Sequence, residues 1–385
     1  MAANAIDWDI AQRIGELIAG AGGRAQDGGV LADLRSVESV EPRARDFAGR
    51  VSDYTGLALP AELPALEVVD RPAWIAANLK TMRPLLDPLT ERMGSDNGGI
   101  TGLLSGQLRT ASGYLLGAQV GALTGVLSQR VLGQYDLSLL DASVTPRLLL
   151  VAPNLAQAAR NLGVDRDELV LWVTIHEVTH AVQFSGAPWL RDHLGAILKE
   201  LIDGLQVTIA GRSGTRSETN DRRSSKLPDT GQLRDLLDRA RRGELRDLVE
   251  RARHGELLRL TLGEERWQLV ERMQATMSLI EGHAEHTMDA VGTEVLPSIE
   301  RLRAAMNRRR ETRGLPWRVL ERLLGLELKM KQYEVGKRFC DAVVQAEGPR
   351  ALTRAWSGPE MLPSMAELQT PGLWLARTHV PPVTS

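Results

Sequence analysis

Cysteine is almost missing from this 385-residue chain. Cys340 stands alone, so no intrachain disulfide can form, and the composition fits a reducing compartment. Aromatic residues make up only 4%, which leaves the core to Leu, Val, Ile and Ala. Neither sign of charge is in excess. The formal net charge is −2, so no global field favours nucleic acid. The stretch Met1–Ile10 has no basic segment followed by an apolar run, so no secretion signal is read there and a cytoplasmic protein is predicted. What remains is ordinary for a globular chain: 43% apolar and 25% charged residues. We read a single domain over residues 1–385.

Charge is also missing between Arg109 and Arg130, a length that could cross a bilayer. Within it Gly113, Gly117, Gly121 and Gly125 recur every four residues, the small-residue stripe of closely packed helices. Ser112, Gln119, Thr124, Ser128 and Gln129 dilute its hydrophobicity. The stretch therefore predicts a buried helix, or helix pair, that lets another backbone approach, and no membrane span.

Histidine is scarce, at seven residues, and its placement is not scattered. His176, Glu177 and His180 form an H-E-x-x-H pattern. On a helix, positions four apart share a face, so both imidazoles reach one ion. Glu177 then stands where it can take a proton from a metal-polarised water. The neighbours Val173, Ile175, Val178, Ala181 and Val182 bury the helix, and buried polar groups need partners. Asp165, with Glu168 three residues on, forms a capping box. The helix is predicted over Arg166 to Gln183, stopped by Gly186 and Pro188.

Catalytic zinc usually takes three protein ligands and a water. Gln183 and Gly186 stand where a metzincin would carry its glycine and next histidine, which excludes that class. Residues 277–290 hold the remaining candidates. Met277, Ile280, Ala284 and Met288 mark a helix, on which Glu281 and Glu285 share a face while His283 and His286 point about 200° and 140° from Glu281. We assign Glu281 as third ligand, the gluzincin arrangement, with Glu285 buttressing a histidine ligand and Asp289 extending that network. His283 and His286 are read as lining the cleft or the surface. Gly282 would allow close approach of another helix.

The rest of the chain reads mainly as helix, with an amphipathic segment from Asp7 and another started by Pro72. Pro60 to Pro64 marks a loop. The apolar run Arg147–Ala152, bounded by Pro146 and Pro153, is the strand candidate. Residues 211–232 have no apolar period and read as a surface loop. A duplication follows, Leu233–Glu244 and Leu245–Glu256, with charges of alternating sign. It predicts two short solvated helices, or a docking element, and 211–255 reads as an insertion. On a helix, Lys329, Gln332 and Tyr333 would share a face, and Tyr333 is the candidate donor to a tetrahedral oxyanion.

Four blocks together point to a family. Val131–Asp136, Trp172–Phe184, Leu279–Glu285 and Gly325–Gly336 resemble the actinobacterial zincin-like metallopeptidases, and the likeness runs from Asp7 to Pro363. That family's link to biosynthesis of the deazaflavin coenzyme factor-420 is one of co-occurrence and implies no reaction. The resemblance implies a mostly helical zincin-like fold. The combined expectation is an α+β protein, predominantly α-helical. It is read as a Zn2+-dependent, gluzincin-type hydrolase of a peptide or small amide. The metal would sit on His176, His180 and Glu281, and Glu177 would act as general base. The competing expectation is a catalytically silent protein of this fold that binds a partner or small molecule.

Overall fold

The computed structural model describes residues 6–20, 37–93, 102–141, 143–210, 263–311 and 327–379. Within its helices, the side chains of 37–39, 88–93, 102–112, 204–210, 310–311 and 327–333 lie outside that description. The first part of the chain runs α1 (Trp8–Gly20), α2 (Val37–Thr55), β1 (Ala65–Val69), α3 (Arg71–Met93), α4 (Gly102–Ser128), β2 (Gly133–Asp136) and β3 (Arg147–Val151). Then come α5 (Ala152–Leu162), α6 (Arg166–Gly186), α7 (Trp189–Ala210), α8 (Glu264–Val291), α9 (Ile299–Glu311) and α10 (Glu327–Glu347). Two 3-10 turns, Pro349–Trp356 and Pro359–Met361, lead to α11 (Met365–Gln369) and α12 (Pro371–Thr378). This is the predominantly helical α+β class predicted. The duplication and the insertion at 211–255 lie outside the described residues.

The sheet has the order β1-β3-β2. β3 pairs parallel with β1 and antiparallel with β2, so it is covered on both edges. It is also covered on both faces. Leu148 and Leu150 enter the main core, and Leu149 and Val151 enter a second core with Trp8, Trp74, Ile75 and Leu79. A strand buried on both sides has no polar face to alternate with, which is why Arg147–Val151 reads as an unbroken apolar run. Arg147 joins all three strands, donating to Asp136 and to Glu67 at 2.9 Å each.

The glycine stripe of α4 faces α1. A Cβ on Gly117, Gly121 or Gly125 would fall 2.2–2.6 Å from a backbone carbonyl of Asp7, Ala11 or Gly15. The stripe is therefore a backbone-to-backbone seam, as predicted. Among the described residues, no helix is long and apolar enough to cross a membrane.

The H-E-x-x-H helix, α6, starts where predicted. Asp165 accepts from the backbone N–H of Glu168 at 2.9 Å. The return half of the capping box is replaced, because Glu168 accepts from Arg301 at 3.1 Å. The helix runs one turn past Gln183 and includes Gly186. Gly186 is there for space, since a Cβ would lie 2.7 Å from Leu57 Cβ. Ala187 makes the cap, its N–H returning to the carbonyl of Gln183.

Helices α8 and α10 cross with their backbones in contact. A Cβ on Gly282 would lie 2.1 Å from the carbonyl carbon of Gly336, and one on Gly336 would lie 1.9 Å from the carbonyl of Ser278. Gly282 does permit close helix approach, and its partner is a second glycine.

Candidate metal centre

Helix α6 is buried along nearly its whole length, from Leu169 to Gln183. Such a helix presents a fixed surface to whatever packs on it. His176 and His180, one turn apart, meet edge to face, with ring centroids 4.8 Å apart. Across from them α8 brings in Glu281. Its Oε2 lies 3.6 Å from Nε2 of His176 and 3.7 Å from Nε2 of His180.

These separations exceed a hydrogen bond. They match two ligands of one ion: atoms about 2.0–2.2 Å from zinc in tetrahedral directions stand roughly 3.3–3.6 Å apart. The three residues form a group whose ligand atoms all lie within 4.8 Å of one another, with no other such group of His, Cys, Asp or Glu among the described residues. Two imidazole nitrogens and a carboxylate suit zinc. The surrounding charge suits a cation too. Burial pulls the His176 imidazole downward, but the Glu281 carboxylate beside it and the charges of Glu177 and Glu285 outweigh burial, and the net shift is upward. The residues present therefore fit the metal that the sequence pattern implies.

Each imidazole is oriented by what its other nitrogen meets. Nδ1 of His176 lies 3.4 Å from Sδ of Met288. A thioether can only accept, so Nδ1 carries the proton and Nε2 offers its lone pair to the site. The ring also stacks on Trp172, nearly parallel at 5°. The spacing predicts the Glu285 carboxylate at a histidine nitrogen; at His176 Nδ1 the structure places the thioether of Met288, and Glu285 acts on His176 through its charge. Nδ1 of His180 lies 2.8 Å from Oε1 of Gln183.

Glu177 is buried, with 8% exposure. Its Oε2 accepts the backbone N–H of Tyr135 at 2.8 Å. That bond fixes the carboxylate against β2, one of the two outer strands of the sheet. Gly133 supplies the room, since a Cβ there would lie 2.4 Å from Val173 and 3.2 Å from Glu177.

The other predicted residues fall elsewhere. Asp289 forms ion pairs with Arg303 and with Lys337, the latter at 3.2 Å, so it ties α8 to α9 and α10. His283 is buried, 1% exposed, edge-on to Trp356. Burial, helped by His286 and His180, pushes it down to about 3. His286 is buried between Tyr54 and Asp341, at 2.9 and 2.6 Å, and burial keeps its pKa low. Neither histidine lines a surface, and neither joins the ligand group. Tyr333 belongs to α10, but its side chain lies outside the described residues, as do those of Lys329 and Gln332. The sequence gives no role to Gly133, Tyr135, Gln183 or Met288. For Gln183 a signal is present, a polar residue one turn after His180 on a helix that is otherwise apolar there.

A family model described as zincin-like metallopeptidase matches residues 6–375. A crystal structure from Chloroflexus aurantiacus, titled as that of a candidate hydrolase with a novel fold, is 30% identical with a TM-score of 0.64. The match covers 97% of this chain and 98% of that one. A comparison with curated proteins finds no match.

Proposed function

The chain belongs to the zincin-like metallopeptidase family, and from that premise we propose that it is a zinc-dependent hydrolase of peptide or small amide bonds. One observation carries the reading. Two imidazole nitrogens on α6 and one carboxylate oxygen on α8 converge at the separations of a shared ion.

In this reading His176, His180 and Glu281 hold the metal. Zinc bound there would supply Lewis acidity, lowering the pKa of a water from about 15.7 toward roughly 7 and polarising the scissile carbonyl. Glu177 takes the proton of the attacking water and returns it to the leaving amine. Its Oε2 accepts the backbone N–H of Tyr135, which holds the carboxylate in place. Glu285 adds negative charge beside His176. Tyr333 is the proposed oxyanion donor. It sits one turn before Gly336, where α10 crosses the Glu281 helix.

Turnover of a library of peptides and simple amides by wild type and Glu177→Gln, at equal zinc loading, tests this. We expect hydrolysis by the wild type and a loss of at least about 10²–10⁴ in the variant. Activity that survives the substitution would refute the assignment of Glu177. A small molecule or partner bound equally by both forms, with no product, would replace the enzyme by a binding protein on the same fold.

A further inference from the structure

Gln183 touches three groups at once. Its Oε1 is 2.8 Å from Nδ1 of His180, and its Nε2 is 2.8 Å from the carbonyl of Ile280 and 2.9 Å from Nδ1 of His283. The side chain is fully buried, so these bonds do not compete with water.

The proton pattern follows from one fixed point. The Ile280 carbonyl can only accept, so the amide atom facing it is the NH2 group. The amide oxygen is then the atom facing His180, and His180 must carry its proton on Nδ1. Its Nε2 is thereby a lone pair, on the side facing Glu281. The second amide hydrogen goes to Nδ1 of His283, which accepts and so holds its own proton on Nε2. Every hydrogen-bonding atom of the amide has one partner. Turning the amide over would set an oxygen 2.8 Å from the Ile280 carbonyl oxygen, and a buried polar contact of that kind is costly.

The same side chain also sets position. Ile280 is the residue before Glu281, so the bond to its carbonyl pins α8 to α6 next to the third ligand.

We propose that Gln183 is the positioning residue of the metal centre: its amide imposes the Nδ1–H form of His180 and holds the Glu281 segment of α8 against the H-E-x-x-H helix. This rests on the metal-site reading above for its purpose, but the hydrogen-bond pattern is independent of it.

The test uses the full chain. Gln183→Met keeps the volume and removes all three bonds; Gln183→Glu keeps the acceptor toward His180 but turns an oxygen on the Ile280 carbonyl. In the zinc-free protein, nitrogen-15 NMR of the imidazoles should show wild-type His180 as the Nδ1–H form and His283 as the Nε2–H form. Gln183→Met should mix the His180 tautomers, and Gln183→Glu should restore the Nδ1–H form. Zinc affinity, read by chelator competition, should fall about 10–100-fold in Gln183→Met and less in Gln183→Glu. A wild-type His180 protonated on Nε2 would overturn the proposal, even if the variants fail to fold. So would a folded Gln183→Met with wild-type tautomers and zinc affinity. If wild type binds no zinc, the metal-site reading fails, and the tautomers still decide the role of Gln183.

Discussion

The backbone N–H of Tyr135 donates to Oε2 of Glu177 over 2.8 Å, joining strand β2 to the centre of the H-E-x-x-H helix. Gly133, two residues earlier, leaves the space the carboxylate needs. A methyl group there displaces Glu177 or Val173. Gly133→Ala should keep its zinc and lose about 10²-fold in turnover, the typical cost of a misplacement near 1 Å, along with about 1–3 kcal/mol of stability from overpacking. Turnover and urea unfolding of zinc-loaded protein check both. Full activity would show that Glu177 does not depend on this strand.

Metal content is the plainest measurement. Purified without chelator, the protein should carry about one zinc per chain. His176→Ala and His180→Ala should each abolish it. Full occupancy in either variant, measured by elemental analysis, would move the site elsewhere.

The two carboxylates on α8 should behave differently. Glu281→Gln removes a ligand and should weaken zinc severely. Glu285→Gln removes a charge that acts on His176 and should weaken it by about tenfold, the low end for an outer-sphere partner. A chelator titration separates them. Equal losses would mean that Glu285 reaches the ion.

His283 gives a pH signature. Its pKa of about 3 in the fold lies below the ordinary value near 6.5. Protonation therefore favours the unfolded chain. The contribution is fully present above about pH 6.5 and is lost as pH falls toward 3. Between pH 6.5 and 5 the loss amounts to about 1.6 kcal/mol. Chelator-treated His283→Gln, unfolded in urea at both pH values, should show that much less pH dependence than wild type. Identical slopes would mean that His283 takes up its second proton equally readily in the folded and the unfolded chain.

The sequence made part of the site legible for a physical reason. Helical periodicity is local, so His176, His180 and Glu281 could be placed on helix faces from spacing alone, though 100 residues lie between His180 and Glu281. Asp165 as a cap and the unbroken run of β3 are local signals too. The strands β1 and β2 were not legible. Ala65–Val69 follows a proline-rich loop, and Gly133–Asp136 has no apolar alternation; both are strands because β3 lies between them. Likewise Met288 takes the nitrogen of His176 only because α8 arrives at one height and not another. No spacing rule within a helix contains that height.

Against α10 the position of α8 is fixed by the contact of Gly282 with Gly336. Two helices whose main chains touch cannot slide past each other like helices separated by side chains; any axial shift drives a carbonyl into a neighbouring peptide. The crossing acts as a mechanical stop one residue from Glu281. Helix α10, though it contributes none of the three proposed ligands, is therefore the gauge against which the third ligand is set.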